Sequence, residues 1–228
     1  MALHDVRLRI NGTEYTGRVE ARKTLADFIR EDCGLTGTHL GCEHGVCGAC
    51  TILMNGEAVR SCLLFAVQAD GAELMTVEGL ADGDRLHPIQ QAYWEHHALQ
   101  CGFCTPGFLM TSLVFLRDHP HPTEREIREG LAGNLCRCTG YQNIVAAVAA
   151  AAEALASGAH PDFFPAPARP TASVEQIEAT EDAVPAAHGA PADMQGDGAT
   201  GAKKAGRRGA RGATTPRGTA RRTRKPKG

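Results

Sequence analysis

Eight of the nine cysteines in this 228-residue chain fall into two groups whose spacing suits metal or redox chemistry. In GCEHGVCGAC, residues 41–50, Cys42, Cys47 and Cys50 follow C-x4-C-x2-C, and Cys62 lies a hairpin's length beyond as a fourth thiolate. That is the ligand pattern of a plant-type 2Fe–2S site, at a spacing zinc rarely uses. Three thiolates in one short loop need a backbone that doubles back. Gly41, Gly45 and Gly48 supply the φ freedom and close approach for it. Cys101 and Cys104 (C-x2-C) with Cys136 and Cys138 (C-x-C) form the second group. By spacing alone this set also suits a zinc ribbon or a redox pair. Cys33 stands outside both groups, at the end of a predicted helix, and reads as a small buried hydrophobe.

Composition narrows the classes. The N-terminal MALHDVRLRI has no apolar run of signal-peptide type and opens as a strand. No stretch of about 20 predominantly apolar residues is present, so no membrane span is expected. The cytoplasm is the expected compartment, where clustered thiols mean metal or redox chemistry rather than disulfides. The formal charge of −2 conceals an asymmetry: residues 201–228 hold 11 of the 24 Lys and Arg and no Asp or Glu. Residues 1–200 are left with 13 basic against 26 acidic side chains, a net −13. The body is acidic and the end is basic.

The elements that must position the cysteines follow from periodicity. Val6, Leu8 and Ile10 alternate with arginines as a half-buried strand, Asn11-Gly12 marks a tight hairpin turn, and Tyr15 and Val19 lie on the returning strand. Thr24 with Asp27 starts a helix whose apolar face is Leu25, Phe28 and Ile29, closed by Gly34. Thr51 to Met54 and Glu57 to Leu63 read as strands about Asn55-Gly56, and Glu73 to Val77 as a last strand. Hairpin, helix, cysteine loop, hairpin and strand suggest an α+β domain of β-grasp type over residues 1–80.

From about Leu86 the period becomes helical, and residues 81–160 read as a small four-helix bundle. Its helices are His87 to Leu99, an apolar segment from Phe108, one capped by Thr123 and Glu126 with Ile127, Leu131 and Leu135 on a face, and one carrying Ile144, Val148, Ala151, Ala152 and Leu155. His87, His96 and His97 read as solvated or interfacial, since adjacent residues do not share a helix face. Trp94 reads as a packing anchor between domains or subunits. Residues 161–228, Pro/Ala/Gly-rich and then basic, have too little apolar surface to offset ordering entropy and are expected to be a disordered tail.

Joined to GCEHGVCGAC, the segment QCGFCTPG makes the cysteine pattern specific. The first 160 residues resemble, nearly end to end, the iron–sulfur small subunit of the molybdenum hydroxylases: xanthine dehydrogenase, aldehyde oxidoreductase and aerobic carbon monoxide dehydrogenase. The resemblance implies a plant-type ferredoxin-like domain with a 2Fe–2S cluster on Cys42, Cys47, Cys50 and Cys62. It implies a second cluster on Cys101, Cys104, Cys136 and Cys138 in the helical domain. It also implies a molybdopterin-binding large subunit and an FAD-binding medium subunit as partners, in a dimer of heterotrimers. Electrons would pass from molybdenum through both clusters to flavin, with Gln100 and Cys138 contacting the pterin. No catalytic residue is expected on this chain. Two other readings remain: a stand-alone two-cluster ferredoxin, and a nucleic-acid-binding protein using the tail of residues 201–228, its clusters structural. The acidic body weighs against the second, and the lack of aromatics makes any such binding non-specific.

Overall fold

Two Asn-Gly turns set the register of the N-terminal sheet. Asn11 and Gly12 take φ of 51° and 80°, Asn55 and Gly56 of 52° and 84°. Positive φ at both turn positions gives the type I′ twist that matches right-handed strands. The first turn joins β1 (Leu3–Ile10) to β2 (Thr13–Glu20), and the second joins β3 (Thr51–Met54) to β4 (Glu57–Arg60). β5 (Glu73–Met75) runs parallel to β1 and antiparallel to β3, which gives the mixed order β2-β1-β5-β3-β4. With its helices this is an α+β, ferredoxin-like chain. The computed structural model describes residues 2–158, so the expected tail at 161–228 lies outside the described residues.

Alternation buries one face of β1 and β2, while β3 is buried on both faces. Val6, Leu8, Ile10, Val19 and Ile52 pack with Leu25, Phe28 and Ile29, whereas Leu53, one residue on, joins the helical core. The helix opens at Thr24, whose Oγ1 accepts from the Asp27 N–H (3.1 Å). α1 (Leu25–Asp27) then widens into a π-type turn, Phe28–Asp32, and Gly34 follows at φ 72°. The Phe28 ring needs bare backbone beneath it, because a Cβ at Gly17 would lie 2.7 Å from its Cε2.

Two expected strands end early. β4 stops at Arg60, and Ser61–Leu63 coil into a 3-10 turn. Ser61 donates from both its N–H (3.3 Å) and its hydroxyl (2.8 Å) to the Cys50 carbonyl, so the chain curls Cys62 inward instead of extending the ladder. β5 stops at Met75 because Asn11 captures the next residue: its Oδ1 accepts from Thr76 N–H and its Nδ2 donates to Thr76 Oγ1, both at 2.9 Å.

Helices α2 (Pro88–Glu95), α3 (Thr105–Asp118), α4 (Glu124–Gly130) and α5 (Gln142–Ala156) enclose one core. Tyr93, Phe108, Met110, Leu113, Ile127, Ile144 and Val148 fill it. Among the described residues no helix is long and apolar enough to cross a membrane. Several side chains depart from expectation here. His87 is fully buried, not solvated: its Nδ1 accepts from Ile89 N–H (3.1 Å) and its own N–H donates to Gln90, which caps α2. α2 ends before Leu99, because His97 turns left-handed (φ 50°) and Ala98 N–H returns to the Tyr93 carbonyl. Trp94 is 71% exposed, so it anchors nothing within the described chain. Leu135 lies beyond α4 and is exposed, while its neighbour Asn134 takes the buried position. Cys33 is half-buried against the sheet core rather than fully enclosed.

Candidate metal centres

The segment from Gly41 to Cys50 turns back on itself at three left-handed residues, Glu43 (φ 53°), Gly45 (74°) and Gly48 (73°). The reversal brings the N–H groups of His44 (3.4 Å) and Cys47 (3.3 Å) onto the Cys42 sulfur. Those donors hold the Cys42 thiol down to about 6, the Cys47 N–H contributing most. Gly41 has an ordinary φ, and its role is close approach: a Cβ there would lie 3.2 Å from the Cys47 sulfur and 3.3 Å from the Phe103 ring. Cys50 and Cys62 are buried side by side at the end of the β3–β4 ladder. Burial, then the neighbouring Cys50 thiol, pushes Cys62 up to about 11, and Cys42 also acts on it. The first four cysteines thus converge on one loop mouth.

The second four come from two segments. The turn before α3 carries Cys101 and Cys104, and the loop between α4 and α5 carries Cys136 and Cys138. The Cys101 and Cys138 sulfurs stand 3.4 Å apart. The Phe103 N–H lowers Cys101, while sharing a proton with Cys101 raises Cys138. Burial, then the Cys136 thiol beside it, pushes Cys104 up to about 12. Burial also opposes ionisation of Cys136, but the Thr139 hydroxyl (3.2 Å) and N–H outweigh it and the thiol is lowered. The Tyr141 hydroxyl accepts from the Cys136 N–H (3.0 Å), held there by a left-handed backbone (φ 69°). Gln100 is exposed beside Cys101 at the same edge as Cys138. Sequence reading singled out neither Thr139 nor Tyr141. Their places in CRCTGY, within three residues of the last cysteines, are the signal that could have found them.

All nine cysteines are free thiols. Among the described residues no three His, Cys, Asp or Glu side chains converge on a single-ion position. The thiols come in pairs instead: Cys42 with Cys47, Cys50 with Cys62, Cys101 with Cys138, Cys104 with Cys136. Paired thiols with N–H donors on sulfur suit a binuclear iron–sulfur centre better than one tetrahedral zinc ion.

Two family profiles match. The one described as a 2Fe-2S iron-sulfur cluster binding domain covers residues 8–80, and that described as a 2Fe-2S binding domain covers 76–149. The chain is 60% identical to the nicotine 6-hydroxylase small subunit of Paenarthrobacter nicotinovorans, over 63% of this chain and 87% of that one. It is 48% identical to the xanthine dehydrogenase iron-sulfur-binding subunit of Escherichia coli O157:H7, over 61% and 89%. The crystal structure of quinoline 2-oxidoreductase from Pseudomonas putida 86 superposes with a TM-score of 0.66 at 51% identity, over 68% of this chain and 98% of that chain. Fold, thiol sets and profiles define a 2Fe–2S protein with two cluster-binding domains. The chain belongs to the iron–sulfur small subunits of the molybdenum hydroxylase, or xanthine dehydrogenase, family. It is an electron-transfer subunit of an oxidoreductase.

Proposed function

We propose that Cys42, Cys47, Cys50 and Cys62 hold one 2Fe–2S cluster and Cys101, Cys104, Cys136 and Cys138 the other, with the domain boundary near residue 80. When bound, such clusters accept and release one electron at a time at little structural cost. The chain contributes fixed thiolates, N–H and hydroxyl groups that tune sulfur basicity, and a rigid frame between the two sites. The observation that carries this reading is the pairing of free thiols in two sets, with the His44 and Cys47 N–H groups already aimed at sulfur.

The relay runs, in this reading, from a molybdopterin centre on a large subunit, through the helical and then the ferredoxin-like site, to FAD on a medium subunit. Gln100 and Cys138, exposed together, are the proposed pterin contacts. Exposed apolar side chains flank both sites: Val46 (64%) and Leu63 (59%) at the first, Phe103 (47%) and Leu135 (50%) at the second. Apolar rims favour a permanent subunit over a stand-alone ferredoxin, and a dimer of heterotrimers is the proposed assembly. A reducing compartment such as the cytoplasm suits ligand thiols that must escape disulfide formation.

The test is low-temperature EPR of the dithionite-reduced protein, with iron and acid-labile sulfide counted on the same sample. Two distinct S = 1/2 signals with about four irons per chain are expected. Stoichiometric zinc without labile sulfide would overturn the reading. Isolation without flavin- and molybdopterin-binding chains would favour the free ferredoxin instead.

A further inference from the structure

Between the two cysteine sets lies a group of polar contacts that ligation does not use. Asn134, only 2% exposed, stands two residues before Cys136. Its Nδ2 donates to the Gly48 carbonyl (3.1 Å), inside the Cys47–Cys50 turn, and its Oδ1 accepts from Thr111 Oγ1 on α3 (2.9 Å). On either side the backbone is tied as well. The Leu135 N–H donates to the Cys47 carbonyl (2.9 Å), and the Gly133 carbonyl accepts from Arg60 Nη2 (2.8 Å). Arg60 Nη1 also reaches Thr51 Oγ1, whose hydroxyl donates to the Gly48 carbonyl (2.6 Å). The two loops abut so closely that a Cβ on Gly48 would lie 2.6 Å from the Gly133 carbonyl.

We infer that Asn134 and Arg60 are positioning residues that clamp the Cys47–Cys50 turn to the Gly133–Cys136 segment and so fix the separation of the two clusters. The inference rests on the two-cluster reading above. A buried amide paired at both its nitrogen and its oxygen selects one arrangement of the groups around it, because any other leaves polar atoms unsatisfied. None of the hydrogen bonds that Asn134 and Arg60 make here ends on a cysteine sulfur. Without Asn134 the Gly48 carbonyl keeps two donors, the Thr51 N–H (3.2 Å) and hydroxyl, so the turn that presents Cys47 and Cys50 keeps its own bonds. Electron exchange falls steeply with distance, and magnetic coupling falls as its inverse cube. The clamp therefore governs inter-cluster coupling more than cluster assembly.

The experiment compares wild type, Asn134→Ala and Arg60→Ala as the full chain in its native complex. It counts iron and labile sulfide, titrates both midpoint potentials, and records the mutual broadening of the two EPR signals in the fully reduced state. Full iron, unmoved g-values and potentials, and weaker, more dispersed broadening in the variants are expected, with inter-cluster electron transfer slowed several-fold. Wild-type broadening in both variants with both clusters in place would overturn the clamp. Loss of a cluster in both would overturn it too, by making the pair plain structural supports. If Asn134→Ala alone loses iron, Arg60→Ala decides: reduced broadening supports the clamp, and unchanged broadening overturns it. Wild-type protein lacking two signals would instead fail the two-cluster reading.

Discussion

Cys33 and Cys42 show how surroundings divide one side-chain type into two characters. Backbone N–H groups hold the Cys42 thiol down to about 6, whereas burial, aided by Asp32, pushes Cys33 up to about 11. Only the thiolate attacks an alkylating reagent or binds metal, so Cys33 reacts only slowly near neutrality. In the cluster-loaded protein at pH 7 we expect iodoacetamide to modify Cys33 alone, and slowly, with a rate that climbs as pH approaches about 11. Intact-mass counting checks this, and unfolding should expose all nine cysteines. The sign for stability follows. Because the folded state holds this thiol neutral where an unfolded chain would already ionise it, its contribution is present below the ordinary thiol range and is lost as pH rises through about 11. The ligand candidates were readable in sequence because three of the first four share one ten-residue stretch and the second four form two short pairs, C-x2-C and C-x-C. Asn134 was not, since its partner Gly48 is 86 residues away.

Elements were readable where their signals are local. The two Asn-Gly turns, the Thr24 cap and the Thr123–Glu126 capping box all stand where short-range chemistry puts them. The misread strand ends depend on contacts made at a distance: Ser61 bonded to the Cys50 carbonyl, and Thr76 taken out of β5 by Asn11. α3 carries a further constraint of this kind at Gly107. Helix propensity alone favours Gly107→Ala by about 1 kcal/mol. A Cβ there would sit 2.2 Å from the Gly48 carbonyl and 3.0 Å from Ala49 Cα, both backbone atoms of the first cysteine turn. Overpacking against backbone costs about 1–3 kcal/mol, and relief must move either α3 or the turn. A 2.2 Å approach to a backbone atom lies toward the upper part of that range, so overpacking wins and Gly107→Ala should lower stability by up to about 2 kcal/mol net. The first cluster should assemble less completely. Denaturant titration with an iron count decides it, and a variant as stable as wild type with full iron would refute the fit between helix and turn.

At the scale of the whole chain, charge and cofactor chemistry separate. The last cysteine is Cys138, while residues 201–228 hold 11 Lys and Arg and no acidic residue. The family profiles end at residue 149, and the matches leave over a third of this chain uncovered while spanning 87% and 89% of two small-subunit relatives. Truncation after residue 200 should therefore leave iron content and both EPR signals unchanged, while net charge falls from −2 to −13 and anion-exchange retention increases. A basic segment without aromatic side chains offers phosphates only charge, and such binding weakens steeply as salt replaces the released counterions. With the acidic body opposing it, the full chain should hold DNA at low ionic strength and release it well before physiological salt, and the truncated chain should not hold it at all. A DNA shift that persists at physiological salt and disappears on truncation would make the tail a nucleic-acid anchor. A truncated chain that lost iron would instead tie residues 201–228 to the cluster-bearing unit, against the separation that the cysteine positions and the charge pattern both indicate.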